Sequence, residues 1–206
     1  MARGQQAPVD ERTAIPYEYP AFRDATVTMM FGSRKQVKGN VYLDGSRFYF
    51  MQDGKAIEAN LGNVRRVQFG DSLYVPVNAT TVGYVVAQDS GKMLVCVRTI
   101  DKYKMKGRKD GFGGRDQSGE GLAFATLDGF GGVLELDNRE AMERAKRFPV
   151  QREYLFRIDG QWVPAKEGTV MGRYDRAKRL MLRGMTENRY WSWTDEKSLV
   201  QLLPLL

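Results

Sequence analysis

Apolar and polar positions alternate with a period of two along most of the first half of the chain, which is the pattern of strands that bury one face. It is plainest in Arg47-Phe48-Tyr49-Phe50-Met51 and in Val95-Cys96-Val97-Arg98-Thr99-Ile100. Between residues 24 and 105 it predicts strands over 26–31, 37–43, 47–51, 55–59, 64–69, 73–77, 82–87 and 92–104. Asp44-Gly45, Asp53-Gly54, Gly70-Asp71 and Asp89-Ser90-Gly91 supply turn residues that tolerate positive φ. Links this short force sequential strands to pair antiparallel. The expectation is one continuous meander, a curled sheet or partly open barrel.

The pattern breaks over 106–121, a charged and glycine-rich stretch that predicts a mobile loop. Asp110-Gly111-Phe112-Gly113-Gly114 returns unchanged as Asp128-Gly129-Phe130-Gly131-Gly132. Consecutive amides in such turns can cradle phosphate. However, Glu120 and Gly121 stand where a P-loop needs Lys and Ser or Thr, and no third glycine completes a dinucleotide fingerprint. Two glycine turns flanking a strand over 122–127 explain the repeat better.

After a strand over 133–136 the period lengthens towards that of a helix. Asp137 and Glu140 form a capping box for a helix bearing Ala141, Met142, Ala145 and Phe148 on one face and ended by Pro149. A hairpin follows, 154–158 and 161–165 joined at Asp159-Gly160. Tyr174, Ala177, Leu180 and Met181 form a helical stripe ending at Gly184, and Thr194-Asp195-Glu196 opens a last apolar helix. The fold class is therefore α+β: an antiparallel β-meander, then a smaller part with a β-hairpin and two or three helices. The predicted division is a flexible segment over 1–23, a β part over 24–136 and a C-terminal part over 137–206, the last two sharing a core or standing apart.

Composition narrows the chemistry. With no histidine and Cys96 as the sole cysteine, the chain lacks Ser-His-Asp and Cys-His nucleophiles, His-ligated metals, Cys-only zinc sites and intrachain disulfides. Cys96 sits in an apolar strand as a buried, inert thiol. No catalytic motif, metal constellation or cofactor is indicated, and the residues point away from an enzyme. Glu135 and Asp137 share one side of a strand as an acid and base pair would, but same-face acids are usually solvated. No apolar run is long enough for a transmembrane helix, and the polar start lacks the core of a signal peptide. The chain is thus either cytoplasmic or a processed form.

A net charge of +7 favours anionic partners without selecting one. The best basic patch interleaves aromatics and cations at Lys102, Tyr103, Lys104 and Lys106, on a strand with lysines along one face, and continues through Arg108, Lys109, Phe112 and Arg115. It gives a polyanion- or nucleic-acid-binding alternative, weakened by the lack of a known nucleic-acid fold. Trp191 and Trp193 are candidates for stacking on a ligand, set against a role in closing the core.

The order of Val37-Lys38-Gly39-Asn40-Val41-Tyr42-Leu43, Val64-Arg65-Arg66-Val67-Gln68-Phe69-Gly70-Asp71 and Gly83-Tyr84-Val85-Val86 resembles a group of uncharacterised exported proteins of Bacteroidetes. The hairpin over 154–164, a basic helix near Lys178 and the close Glu196-Lys197-Ser198-Leu199-Val200-Gln201-Leu202-Leu203 extend the resemblance from about residue 25 onward. It implies a periplasmic or envelope-associated protein after removal of a signal segment; the partner stays open, with another envelope protein as one candidate. It carries no activity and no site residues. The leading functional expectation is a non-catalytic envelope-associated binding or structural protein. The alternative is a small-ligand carrier or carboxylate-based hydrolase with its site in the β part.

Overall fold

The computed structural model describes residues 11–105 and 148–206. Its centre is a curled antiparallel sheet, a half-barrel, with a few helices at the C-terminus, in keeping with the α+β expectation. The strands are β1 (Glu11–Thr13), β2 (Arg23–Met29), β3 (Arg34–Tyr42), β4 (Arg47–Gln52), β5 (Lys55–Glu58), β6 (Val64–Phe69), β7 (Ser72–Pro76), β8 (Val82–Asp89), β9 (Lys92–Ile100), β10 (Phe148–Ile158) and β11 (Gln161–Pro164). The helices are α1 (Lys102–Met105), α2 (Glu167–Met171), α3 (Arg176–Thr186) and α4 (Glu196–Leu202).

The meander is broken once. β2 to β5 pair in sequence, but β6 pairs with β2 rather than β5, and β6 to β10 then continue from that edge. The link between β5 and β6 is a short 3-10 turn over Leu61–Asn63, whose cap Asn60 accepts the Gly62 N–H at 2.9 Å. Leu61 and Ala59 are buried beneath it. Burying that apolar pair carries the chain across to β2, which a hairpin would not do.

The sheet curls until the β3–β4 turn meets the far strands. Ser46 bonds Val82 twice, its carbonyl accepting the Val82 N–H and its hydroxyl donating to the Val82 carbonyl, both at 2.8 Å. The Leu43 carbonyl accepts the Ile100 N–H at 3.0 Å. Residues 11–23, expected within a flexible segment, are tied down. β1 pairs with β10, Glu18 N–H donates to the Val41 carbonyl at 2.9 Å, and the buried Asn40 amide clamps the Tyr19 backbone through both its oxygen and its nitrogen. Satisfying a buried amide in this way fixes the segment's path.

Alternation assigns each strand's faces. Ala25, Val27, Val41, Phe48, Val67, Phe69 and Tyr74 pack one cluster inside the curl. The same side of β9 and β10 offers Leu94, Cys96, Tyr154 and Phe156 to Leu182, Leu199, Leu202 and Leu203 from the C-terminal helices.

Several expected bounds shift. The strand expected over 92–104 stops at Ile100, because the Asp101 carboxylate accepts the Tyr103 N–H at 3.1 Å and starts the turn of α1. Phe148 and Pro149, expected at the end of a helix, open β10 instead. Phe148 is buried with Leu43, Ile100 and Val150, and the Pro149 carbonyl accepts the Asp101 N–H at 2.8 Å. Gly184 does not end its helix, since α3 runs on to Thr186. The glycine-rich repeat, the strands over 122–127 and 133–136, and the helix opened by Asp137 lie outside the described residues.

Candidate functional site: a polar cleft on the outer face of the sheet

Strand β2 places Ala25 and Val27 in the core, so Asp24, Thr26 and Thr28 point to the other face. Pairing on both sides extends these positions into rows. Thr28 stands opposite Arg34 on β3 and Arg66 on β6, Thr26 opposite Gln36 and Gln68, and Asp24 opposite Lys38. Together these rows line a cleft of about 350 Å³.

Charge is unevenly distributed in it. Asp24 is paired with Lys38 at 2.8 Å, and Thr26 donates to Gln36 at 3.1 Å, so the far and middle rows are close to neutral. The row nearest the β2–β3 turn is not. Among the described residues neither Arg34 nor Arg66 has a carboxylate partner, and the Arg66 Nε is buried without a hydrogen-bond acceptor. Two strand spacings, about 10 Å, separate β3 from β6, a gap that two arginine side chains are long enough to bridge, and both line the cleft with Thr28. Thr28 itself is only 7% exposed. A buried guanidinium donor with no acceptor is costly, and an anion seated between the two forks would satisfy it.

The residues singled out from sequence do not gather here. Lys102 lies at the start of α1 with its Nζ 2.9 Å from Asp44, and Lys104 is in the same helical turn, so the two do not line one face of a strand. Lys106, Arg108, Lys109, Phe112, Arg115, Glu135 and Asp137 lie outside the described residues. Trp191 and Trp193 meet edge to face at 5.7 Å and pack, half-buried, against the C-terminal cluster. A second cleft of about 440 Å³ runs past Trp191, Asn188, Tyr190 and Lys197, and the Trp191 Nε1 is buried without an acceptor among the described residues.

Neither Cys96 nor Tyr154 lines either cleft. Burial pushes the Cys96 thiol up to about 11 and the Tyr154 phenol to about 12. Both groups therefore stay protonated at neutral pH. Among the described residues no three Cys, Asp or Glu side chains converge as a metal site.

Sequence reasoning missed Thr28, Arg34, Gln36, Arg66 and Gln68. The signal was present within each strand as the polar half of the alternation. The missing fact was that β6 returns to β2, which alone brings Arg66 into line with Arg34.

Fold and site together define a half-barrel with helices at its C-terminal end and a cationic row on its outer face. No protein-family profile, curated protein or solved structure matches the chain.

Proposed function

We propose that the protein is a non-catalytic binding protein of the cell envelope that receives an anionic group between Arg34 and Arg66. The observation that carries this reading is the row Arg34–Thr28–Arg66, in which two arginines lack carboxylate partners among the described residues, one of them has a buried Nε without an acceptor, and the threonine between them is buried. Arginine forks match the geometry of phosphate and carboxylate oxygens, and a partly desolvated site strengthens such bonds. The core side of the sheet is filled by Phe48, Phe69 and Val67, which favours binding on the outer face over carriage inside the curl.

The charge pattern also limits the ligand. Behind the arginine row the next row is Gln36–Thr26–Gln68, and the one beyond it is neutralised by the Asp24–Lys38 pair. A nucleic-acid strand needs cations along a track, so one compact anionic group fits this site better than a polymer.

Titration calorimetry with inorganic phosphate and pyrophosphate tests the reading. The wild-type chain is expected to bind both with an affinity that falls as salt rises. Arg34→Gln and Arg66→Gln each weaken binding by about tenfold, the loss of one charge-assisted contact of roughly 1.5 kcal/mol. Wild-type protein that takes up neither anion, or an Arg66→Gln variant that binds as well as wild type, overturns it.

A further inference from the structure

We infer that the anionic group is a lipid headgroup, and that the β2–β3 hairpin tip enters the membrane surface beside it. This inference rests on the anion-binding reading above and adds its source. Phe31 is 97% exposed and Met30 56% exposed, at the tip immediately beyond the arginine row. Neither side chain belongs to a core cluster of the described residues, and two adjacent large apolar side chains held in water favour an apolar partner.

The tip is built rather than loose. Met29 N–H donates to the Ser33 carbonyl at 2.8 Å, Gly32 N–H to the Met29 carbonyl at 3.0 Å, and Met30 N–H to the Asn63 carbonyl at 2.8 Å. Gly32 takes φ +89°, a conformation that a side chain there would strain. Met30 and Phe31 are thus presented outward at little further ordering cost.

Cations lie where headgroups would be. Arg34 and Arg66 stand two to three residues behind Phe31, and at about 3.3 Å per residue that sets them roughly 7–10 Å from the tip. An apolar element that docks at a bilayer surface sinks about 5–10 Å into the headgroup and acyl boundary. With the tip at that depth, both guanidinium groups sit at the level of the phosphates. The exposed neighbours Lys35 and Arg65 add positive charge at the same level. The acid lining the cleft, Asp24, is in the far row and held by Lys38. An apolar tip ringed by cations, on a chain of net charge +7, complements an anionic membrane.

Cosedimentation with vesicles decides the matter. Wild-type protein is expected to pellet with phosphatidylcholine vesicles containing phosphatidylglycerol, to stay in solution with phosphatidylcholine alone, and to be released by added salt. The doubly substituted Met30→Ser, Phe31→Ser chain loses vesicle binding by about tenfold or more, the loss of apolar area from the bilayer, and keeps its calorimetric binding of inorganic phosphate. Arg34→Gln with Arg66→Gln abolishes both. Phosphate binding without vesicle binding in the wild type overturns the lipid assignment and leaves a soluble anion as ligand. Absence of both sinks the anion reading itself. Undiminished vesicle binding by the serine variant rules out the tip. Because Met30 and Phe31 are exposed, these substitutions leave the core intact, and an unchanged circular dichroism spectrum verifies it.

Discussion

Close approach makes certain glycines structural rather than incidental. A Cβ on Gly39 would lie 2.6 Å from Phe48 Cε2, 2.9 Å from its Cζ and 3.3 Å from the Tyr49 carbonyl oxygen. Phe48 is among the most deeply buried side chains and cannot swing aside. Gly39 also sits where β3 exchanges its β2 partner for the segment around Tyr19, so its absent side chain lets the two hairpins close on the core. Gly39→Ala is therefore expected to destabilise the fold by about 1–3 kcal/mol, the usual penalty for overpacking. Gly168 in α2 provides the contrast, for it has open space around it and no positive φ. Gly168→Ala should be neutral or stabilise by up to about 1 kcal/mol through helix propensity. Urea unfolding of both variants checks the pair, and equal midpoints would refute the packing argument.

Elements were largely legible because each one's evidence is local. The strand over 64–69 has the bounds read from alternation, the Asp159-Gly160 turn joins the expected hairpin, and α4 starts within the Thr194-Asp195-Glu196 segment expected to open it, with Asp195 as its cap. What escaped depends on distant parts of the chain. Nothing within β6 says that it will pair with β2, nor within 16–19 that Asn40 will clamp Tyr19. The site was hidden for the same reason, since Arg34 and Arg66 are ordinary outward-facing strand residues until the register aligns them. The capping of α4 carries an energetic consequence. Asp195 Oδ2 accepts the Ser198 N–H at 2.9 Å and the Ser198 hydroxyl at 2.8 Å, and Ser198 is buried. Asp195→Ala removes the cap and strips a buried hydroxyl of its acceptor, so thermal or urea denaturation should show a loss of about 1–2 kcal/mol. Asp195→Asn keeps an acceptor oxygen and recovers most of it. An alanine variant as stable as wild type would show that α4 is held by Leu199 and Leu202 alone.

Whether the first strands and the C-terminal helices unfold as one unit is a property of the whole molecule, and the sheet supplies the physical answer. β10 pairs with β9 from Val150 opposite Ile100 to Arg157 opposite Met93, so the C-terminal part contributes a full strand to the sheet. One face of that pair, Leu94, Cys96, Tyr154 and Phe156, is buried by the C-terminal helices, and the other, Val95, Val97 and Leu155, packs with Val75 of β7. Separating the two parts would uncover one face of β9 and strip Leu155 from the other, at roughly 25 cal/mol for each Å² of apolar surface uncovered. That cost makes partial unfolding unfavourable compared with complete unfolding. The three tryptophans, Trp162, Trp191 and Trp193, all lie after β10 has begun, so their fluorescence reports the C-terminal part. Amide NMR cross-peaks of β2, β3 and β6 report the strands at the other end of the sheet. Urea transitions followed by the two probes should therefore share one midpoint and one slope. A fluorescence change that precedes the loss of strand signal would mean that the C-terminal helices leave an intact half-barrel behind. The hairpin tip and arginine row, carried on β2, β3 and β6 far along the sheet from β10, would then be expected to keep binding inorganic phosphate at that intermediate urea concentration.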